Sequence, residues 1–473
     1  MFINSIFKNF DNLGIKYCHW KSNHFIKESF ESRQDFDLLV AKLDRNAFQN
    51  ILLDHGFKRR ISTPDKQYPT MEDFIGMDPN KGTLFHFHVH YALVLGRKYD
   101  KNYRIPIETE VFNSVIRHQE YPINIIAPEY ELMLLIIRIF LKSKIKLAFI
   151  RKNQTFVRKR IFPKNIAEEF QDLNNRADQE KFTTLITYIF PAAVSSFKIL
   201  LEYFTNTINV YKFLKQRRIL IHELRAHRIQ IGEKHKIQKN MRQISIPNSM
   251  SGFESGGCTI AVIGVDGSGK TTMVDKVDKW LSWKLSVKHL YLGRVKRHEE
   301  RHGRKYKNHV LQIINRLRLL FKKLQFRNGV TLMINLQWLY YAYTRYKKFI
   351  RGRRLANEGY IVFFERFPLL EFHNMKEPMD GPRLNPETFL GKIENNLYNK
   401  IDLPEVVIIL DVSFDNVINR RQGQSEDVRN MLRNKIDAVT KLKSMDNDYY
   451  IINTEDGVEN TLLELKNVIW NNV

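Results

Sequence analysis

The spacing of apolar and polar positions predicts a change of structure along the chain. In the first 150 or so residues, short apolar runs alternate with amphipathic stretches, which predicts strands over 35–40 and 83–90 and a helix over 45–53. Between about 130 and 245, Gly and Pro are rare and Lys and Arg frequent, and this pattern predicts mostly helix. A segment rich in Ser, Gly and Pro at 245–257 is the predicted linker.

Beyond the linker, apolar strands and helices alternate to the end of the sequence. The pattern predicts strands over 260–264, 289–292, 360–364, 406–411 and 449–452, and a closing helix from about Glu459. This βαβ rhythm is typical of a parallel sheet covered by helices on both faces, with ligands at the carboxyl ends of the strands. We therefore predict an α/β protein: an α+β domain over 1–150, a basic helical connector over 151–250, and a three-layer parallel-sheet domain over 255–473.

The composition narrows the class of partner. At 473 residues the chain exceeds what one hydrophobic core usually supports, so more than one domain is expected. A formal net charge of +25 indicates an acidic partner: a nucleotide, a nucleic acid, an anionic lipid surface or a polyanionic glycan. The basic connector is the predicted contact for the last three. The two cysteines, Cys18 and Cys258, exclude a disulfide framework and a cysteine-based zinc site, and favour a reducing compartment.

The sequence has no stretch that is typical of membrane insertion. Its N-terminus lacks an apolar core followed by a small-residue cleavage site, so no secretory signal is predicted. Basic residues interrupt the longest apolar stretch, 132–150, which argues against a transmembrane segment there: Arg138, Lys142, Lys144 and Lys146. The sequence predicts a cytoplasmic protein, and its basic surface leaves peripheral contact with the inner face of the membrane open.

One motif predicts nucleotide binding directly. After an apolar strand the chain continues Gly264-Val265-Asp266-Gly267-Ser268-Gly269-Lys270-Thr271-Thr272, the phosphate-binding loop G-x-x-x-x-G-K-[ST], and then a helical pattern. The glycines let backbone N–H groups turn toward a phosphate, and the helix start adds unpaired N–H groups. Lys270 supplies a charge for the β- and γ-phosphates, and the Thr271 hydroxyl supplies a ligand for Mg²⁺. The motif therefore predicts ATP and Mg²⁺; the alternative is a glycine-rich turn that binds nothing.

Further charged residues stand near the ends of the other predicted strands. Four groups are candidates by their position: Glu365-Arg366, Arg420-Arg421, Arg294 and Arg383. Ligands bind at the carboxyl ends of such strands, so these groups are expected to face the phosphates or an acceptor. The alternative interpretations are a surface ion pair for the first group and solvated helix charges for the second.

Together these motifs resemble the thymidylate kinase-like group of nucleoside monophosphate kinases. The loop has that group's form, including an internal acidic residue, and Glu365-Arg366-Phe367 stands where the group has Asp-Arg-Tyr or Asp-Arg-His. The resemblance implies that Lys270 and the loop hold ATP, with Mg²⁺ at Thr271 and Glu365. It also implies that Arg366 and Arg420 neutralise charge on the transferred phosphoryl group.

The acceptor side is less defined by this resemblance. It implies that Asp266 and Glu365 orient the acceptor, and it offers three arginines to hold an acidic acceptor group: Arg294, Arg383 and Arg421. The sequence departs from the group in the second motif, has no Arg-Glu-Pro run after the second strand, and carries a long basic and aromatic segment over 295–354. Thymidylate kinases build their base pocket there. An apolar stripe in that segment predicts helix core: Leu332, Met333, Leu336, Leu339, Tyr340 and Tyr343.

A second constellation lies in the N-terminal region. Asp35 and Asp37 stand at i and i+2 of a predicted strand, so they project to one face, as metal-binding pairs for nucleotidyl transfer do. The next predicted strand alternates three histidines: His86, His88 and His90. These side chains share a face and could instead ligate a transition metal. Ordinary surface carboxylates are the remaining alternative for the aspartates.

This constellation resembles the nucleotidyltransferase fold, specifically the uncharacterised nucleotidyltransferase-like domains that occur beside kinase-like domains. Such tandem proteins are associated with bacterial surface-polysaccharide genes. The resemblance implies a candidate site at Ser22, Asp35, Asp37 and His88. Lys21-Ser22 replaces the family's Gly-Ser, and a histidine replaces its third carboxylate, so a degenerate binding module is also open.

The sequence as a whole predicts an ATP-dependent phosphotransferase. Its acceptor would be a small acidic or hydroxylated molecule, namely a nucleotide, a sugar or a sugar phosphate, with a role in surface-polysaccharide synthesis implied by the second resemblance. Two alternatives stay open: a nucleotide-binding regulatory protein with a polyanion-binding surface, and nucleotidyl transfer by the N-terminal domain.

Overall fold

The computed structural model divides the chain into two compact units. Unit 1 comprises Met1–Asp78 and Thr83–Ser249, and unit 2 comprises Pro79–Gly82 and Met250–Val473. The structure describes residues 2–62, 67–97, 100–143, 161–205, 209–234, 236–237, 240, 251–293, 309–369, 380–420, 425–442 and 449–473.

Unit 1 is built on a mixed sheet. Its strands are β1 (Tyr17–His19), β2 (Phe36–Val40), β3 (Lys58–Ser62), β4 (Met71–Asp78), β5 (Thr83–His90), β6 (Val94–Arg97), β7 (Asp100–Arg104), β8 (Ile116–Arg117) and β9 (Asn124–Ile125). Within the unit the main sheet runs β3-β4-β5-β2-β1-β9-β8, and β6 and β7 form a separate ribbon. The β2–β5 and β1–β9 pairs are parallel and the others antiparallel.

The helices of unit 1 fall into two groups. The first group is α1 (Phe2–Asn12), α2 (Ile26–Phe30), α3 (Arg45–Asp54) and α4 (Glu108–Asn113); the second is α5 (Pro128–Lys142), α6 (Lys164–Arg176), α7 (Gln179–Ile189), α8 (Val194–Thr205) and α9 (Val210–Glu223). Side chains of the second group share one core with Cys18 and Trp20 of the sheet region. The described part of the predicted connector therefore does not stand apart, because its apolar faces close the core of unit 1.

Unit 2 contains a parallel sheet. After the short strand β10 (Ser251–Phe253), which forms inside the predicted linker, come β11 (Cys258–Gly264), β12 (Val287–Tyr291), β13 (Ile361–Glu365), β14 (Val406–Asp411) and β15 (Tyr449–Asn453). The sheet order is β12-β13-β11-β14-β15, and every neighbouring pair in it is parallel. The central strands β11, β13 and β14 are buried along nearly their whole length, as strands covered on both faces are.

Helices follow or separate these strands, as the alternation predicts. They are α10 (Lys270–Leu281), α11 (His309–Lys323), α12 (Arg327–Asn357), α13 (Phe389–Tyr398), α14 (Phe414–Arg420), α15 (Glu426–Leu442) and α16 (Val458–Asn472). One core joins α12, α13, α14 and α15 to the sheet, while α10 and α16 pack on each other and on β11 and β15. The predicted α/β class with a parallel sheet is confirmed.

The sequence argues against a transmembrane segment. Within the described ranges, no helix combines the length and the apolar character that a membrane span needs.

Candidate active site

The phosphate-binding loop joins β11 to α10 at the carboxyl edge of the parallel sheet. Gly264 ends the strand, and a Cβ atom there would lie 2.6 Å from the Ser268 hydroxyl and 2.8 Å from the Leu410 carbonyl oxygen, so no other residue fits without a shift. Gly269 caps α10 with φ +89°, a conformation that L side chains rarely adopt. The two glycines therefore serve the loop geometry directly.

Lys270 is held inside this loop. Its Nζ donates to the carbonyl oxygens of Gly264 and Val265, at 2.7 Å each. Burial is the main cause that lowers the pKa of Lys270 to about 8; the carboxylate of Asp266 opposes this shift and the Arg366 charge adds to it. The ammonium group is thus bonded to neutral oxygens in a place where a polyanion would be a stronger partner.

Thr271 and Glu365 form the candidate magnesium site. Glu365 is the last residue of β13, which pairs with β11, and the parallel register brings its carboxylate beside the start of α10. The Thr271 Oγ1 donates to Glu365 Oε1 at 3.3 Å. A hydroxyl and a carboxylate are the hard oxygen ligands that Mg²⁺ prefers, so the predicted pair does lie together and fits that ion.

Arg366 follows directly and is held on two sides. Its Nη2 lies 3.0 Å from Asp266 Oδ1 and its Nη1 lies 3.6 Å from Asp380 Oδ2. Its backbone φ of +59° is in the left-handed region, which costs a residue with a side chain on the order of 1 kcal/mol or more. Strain of this kind persists where the surroundings impose it, and here it directs the guanidinium toward the loop.

Arg420 approaches the loop from another element. It is the last residue of α14, and its Nη1 donates to the Gly267 carbonyl oxygen at 3.2 Å. Its Nη2 donates to the Thr454 carbonyl oxygen at 3.4 Å. Two arginines, Arg366 directly after β13 and Arg420 at the end of α14, therefore flank one loop.

These residues line a single cleft of about 670 Å³. Its walls contain every predicted loop residue from Asp266 to Thr272, as well as Glu365, Arg366 and Arg420, together with residues that the sequence did not indicate: Met273, Tyr291, Thr454, Glu455, Gly457 and Val458. The Ser268 hydroxyl is buried at its edge and finds no hydrogen-bond partner among the described residues. Such an orphaned hydroxyl inside a cradle of loop amides fits a phosphate ligand.

A buried arginine behind the cleft was not predicted. Arg345 of α12 is 5% exposed; its Nε donates to the Leu292 carbonyl oxygen at 2.7 Å and its Nη2 lies 3.0 Å from Asp380 Oδ1. It also donates to the Tyr398 hydroxyl. The available signal was a single Arg at helical spacing between Ala342 and Phe349, in an otherwise apolar stripe.

Of the three arginines predicted to bind the acceptor, the structure describes Arg383 alone. The Arg383 guanidinium lies over the Trp338 ring, 5.6 Å from its centroid, and Arg383 is not among the residues that line the cleft. Arg294 and Arg421 lie outside the described residues. The acceptor therefore has no described arginine beyond Arg366 and Arg420 in the lining.

The N-terminal constellation also comes together, within unit 1. The β2–β5 register sets Asp37 beside His88, and donor atoms of Asp37, His88 and His90 lie within 4.8 Å of one another, close enough to hold a metal ion. Asp35 precedes β2 and its Oδ1 lies 3.0 Å from His86 Nδ1. Both aspartates therefore lie beside histidines of the neighbouring strand.

Cations already occupy much of this cluster. Lys21 Nζ lies 2.8 Å from Asp37 Oδ1. Burial alone would raise the pKa of Asp37, but the Lys21 and His88 charges hold it below its ordinary value. Burial, and then the Lys21 charge, lower the pKa of Lys101 to about 8. Ser22, the remaining residue of the predicted site, has a contact outside this cluster: its backbone N–H donates to Glu169 Oε1 at 3.1 Å.

A further carboxylate, Asp73 on β4, also lies beside these histidines. Its Oδ1 accepts from His86 Nε2 at 2.9 Å and from His88 Nδ1 at 2.7 Å. Burial alone would raise the pKa of Asp73, but His88 and His86 hold it well below its ordinary value. The sequence signal was an acidic pair, Glu72-Asp73, at the start of the apolar run Phe74-Ile75-Gly76-Met77.

The comparisons with known proteins support nucleotide binding by a relative. No protein-family model matches the chain. Two curated relatives are 27% identical to it over 197 residues, covering 39% of this chain and 75% of each relative. Both are called uncharacterized ATP-binding protein YghR, one from Escherichia coli strain K12 and one from E. coli O6:H1 strain CFT073.

Several similar solved structures are nucleotide or nucleoside kinases, each matching about half of this chain. Thymidylate kinase from Candida albicans is 14% identical, with 46% of this chain and 90% of that one covered and a TM-score of 0.28. Thymidylate kinase from Ehrlichia chaffeensis is 17% identical, with 45% and 96% covered and a TM-score of 0.25. Deoxyadenosine kinase from M. mycoides with bound dATP is 14% identical, with 45% and 98% covered and a TM-score of 0.28.

Proposed function

We propose that unit 2 is a phosphotransferase that moves the γ-phosphoryl group of ATP to a small acidic or hydroxylated acceptor. One observation carries this proposal: a single cleft is lined by the loop, Lys270, the Thr271–Glu365 pair and the guanidinium groups of Arg366 and Arg420. Two arginines are more than a nucleotide-binding loop needs for affinity alone, but they are what a transferred phosphoryl group requires.

The loop and Lys270 would hold the triphosphate. Loop amides and the start of α10 offer N–H donors and positive potential, and the buried Ser268 hydroxyl adds a donor. Thr271 and Glu365 would hold Mg²⁺, which when bound supplies positive charge to the β- and γ-phosphate oxygens. The Lys270 ammonium, now on two carbonyl oxygens, would exchange these neutral partners for anionic ones.

Arg366 and Arg420 would stabilise the transition state. In phosphoryl transfer the bond from the γ-phosphorus to its bridging oxygen breaks as the acceptor oxygen bonds to phosphorus, and ADP leaves. Negative charge spreads over the equatorial oxygens and the leaving oxygen, and fixed cations lower that energy. Asp266 holds Arg366 at 3.0 Å in this structure, so we assign Asp266 to positioning that guanidinium, in addition to orienting an acceptor with Glu365.

The acceptor is proposed by chemical class. A nucleotide, a sugar and a sugar phosphate are the three candidates, and the thymidylate kinase-like resemblance supports the first. The link to surface-polysaccharide synthesis is supported by the N-terminal resemblance and favours the other two. Because Arg383 lies over Trp338, an acidic acceptor group would be bound by the arginines of the cleft or by residues beyond the described ranges.

An acceptor screen with ATP labelled at the γ-phosphate tests the proposal. Nucleoside monophosphates, sugars and sugar phosphates are offered to the full chain, to Lys270→Ala and to Lys279→Ala, an exposed lysine on the same helix. We expect label in one acceptor class with the native chain and Lys279→Ala, and loss of that label with Lys270→Ala. Transfer that is unchanged in Lys270→Ala would overturn the proposal. Slow ATP hydrolysis with no labelled acceptor would instead support a nucleotide-binding regulatory protein.

A further inference from the structure

The charged residues of the α11–α12 hairpin are all basic, and the phosphate cleft does not explain this excess. Residues 309–357 contain four Lys and seven Arg residues, and no Asp or Glu. Among these eleven, Arg345 and Lys348 have contacts at or behind the cleft, and Arg353 pairs with Asp402. A segment of this length without an acidic residue attracts an anionic partner.

The inner side of α11 packs on α12. Ile314 is buried, and the Phe321 ring meets the Phe326 ring edge-on, with their centroids 5.6 Å apart. At Gly329 of α12 a Cβ atom would collide with these two rings, so glycine lets the helices approach closely. One apolar side of α11 is therefore already covered.

α11 also carries an exposed apolar stripe. Its positions are spaced by three and four residues, which places them in one stripe along the helix: Val310, Ile313, Leu317, Leu320 and Leu324. All are exposed, from 39% for Leu317 to 65% for Leu324. Elsewhere on the hairpin, Leu319, Phe326 and Leu332 are also exposed. A run of this kind over about 22 Å of helix is larger than scattered surface leucines explain.

Basic side chains accompany the stripe. Arg316, Arg318, Lys322, Lys323 and Arg327 are all exposed along the same helix and the following turn. An amphipathic helix with leucines on one side and Lys and Arg beside them is the form that lies in the plane of a membrane surface, its apolar side among the acyl chains and its cations at the headgroups.

We propose that the α11–α12 hairpin binds an anionic lipid surface through the stripe formed by Val310, Ile313, Leu317, Leu320 and Leu324. Charge complementarity selects this occupant. A second copy of the hairpin would set Arg and Lys against Arg and Lys, with no acidic residue in 309–357 to pair with them. Nucleic acid would satisfy the cations but would leave the aliphatic stripe in water. This proposal is independent of the phosphotransfer reaction.

Vesicle co-sedimentation of the full chain tests the proposal. We compare vesicles of phosphatidylcholine alone with vesicles containing about a third phosphatidylglycerol. The apolar variant is Leu317→Ser with Leu320→Ser, and its control carries the same change at two exposed leucines elsewhere, Leu43→Ser with Leu53→Ser.

A second pair of variants tests the charge. Arg316→Gln with Lys323→Gln removes two cations beside the stripe, and Lys181→Gln with Lys198→Gln removes two exposed cations elsewhere. We expect the native chain to bind only the anionic vesicles. Each hairpin variant should lower the partition coefficient by about tenfold or more, with the controls unchanged.

Several outcomes would overturn the proposal. Equal binding to neutral and anionic vesicles, or no effect of the hairpin variants beyond their controls, would remove the assigned surface. Sedimentation equilibrium without lipid, showing a dimer that the leucine variant dissolves, would assign the stripe to a second copy. A single-stranded oligonucleotide could also displace the chain from the vesicles. If the leucine variant then binds that oligonucleotide as tightly as the native chain does, the basic residues would be assigned to nucleic acid. Circular dichroism of each variant checks that the helices still form.

Discussion

The phosphate cleft of unit 2 and the Asp–His cluster of unit 1 each gather charged side chains, but they differ in what those side chains already contact. In the cleft, the cations of Lys270 and Arg420 rest on neutral carbonyl oxygens. In the cluster, the carboxylate of Asp37 has Lys21 at 2.8 Å, and Asp73 accepts from two histidines. An anion entering the cleft meets two cations with weak partners, Lys270 and Arg420, although Arg366 is shared with two carboxylates. A metal ion entering the cluster competes with the Lys21 ammonium group. Counting motif residues does not separate these cases, and their contacts do.

The largest expected effect comes from substituting each of the two lysines in this comparison by methionine. Lys270→Met should lower the transfer rate by about a thousandfold, because it removes the loop cation from the site of charge development. Lys21→Met should leave transfer unchanged, since Lys21 balances Asp37 in the other unit. Steady-state transfer to the acceptor found in the screen measures both.

A matched result in the opposite direction would reverse the comparison. If pyrophosphate release from a nucleotide fell in Asp37→Asn and survived in Lys270→Met, the chemistry would belong to unit 1. The nucleotidyltransferase alternative would then replace the phosphotransferase.

The second effect separates a guanidinium from a simple positive charge. Arg366→Lys keeps the charge but loses the fork that is shared between Asp266 and Asp380. We expect the turnover number to fall by about a hundredfold with a smaller change in the KM for ATP, because the lost contact acts mainly on the transition state. Arg353→Lys, at a surface pair with Asp402, is the control. Equal effects of the two substitutions would show that Arg366 is only structural.

The sequence predicted the elements better than it predicted what each charge contacts. The strand over 406–411 and the loop from Gly264 to Thr272 follow from periodicity and glycine spacing, both of which are local properties. The contact between Glu365 and Thr271 could be predicted as well, because the βαβ pattern implies that β13 and β11 are parallel and end at the same edge of the sheet. The Asp73–His88 contact depends on a strand pairing that local pattern does not specify.

The apolar stripe predicted in α12 and the predicted connector show the same limit. Periodicity predicted helix core for a stripe in α12, but only Met333 of it is buried, and Leu332 and Tyr343 are exposed. Period marks an apolar face without saying whether another element covers it. The helices of 161–223 were predicted as helices, yet their place in the core of unit 1 depends on long-range packing with Trp20 and α5.

The third effect concerns the balance inside unit 1. Lys21→Met leaves the partly buried Asp37 carboxylate without its cation, which should destabilise the local structure by about 1–2 kcal/mol. Lys21→Met combined with Asp37→Asn should recover most of this, because the unpaired charge is gone. Hydrogen exchange of peptides covering β2 and β5 measures the change where it occurs. If the double variant exchanges as fast as Lys21→Met, the pair does not stabilise the cluster.

The smallest effect is a pH dependence of nucleotide affinity, and it concerns Lys270. In the protein without nucleotide, Lys270 has a pKa of about 8. The charged groups that face it are Asp266, Glu365, Asp380 and Arg366. Triphosphate favours the ammonium form, so the pKa rises on binding and the complex takes up a proton between the two values. Below pH 7 the lysine is protonated in both states and contributes no slope to the affinity. From pH 8 to 9 affinity should fall up to about tenfold, as the free lysine loses its proton. Isothermal titration with a non-hydrolysable ATP analogue measures this slope, and Lys270→Met should bind more weakly with no slope in the same window. A slope retained in Lys270→Met would place the titrating group elsewhere, and Lys270 would not be the cation whose protonation sets the affinity.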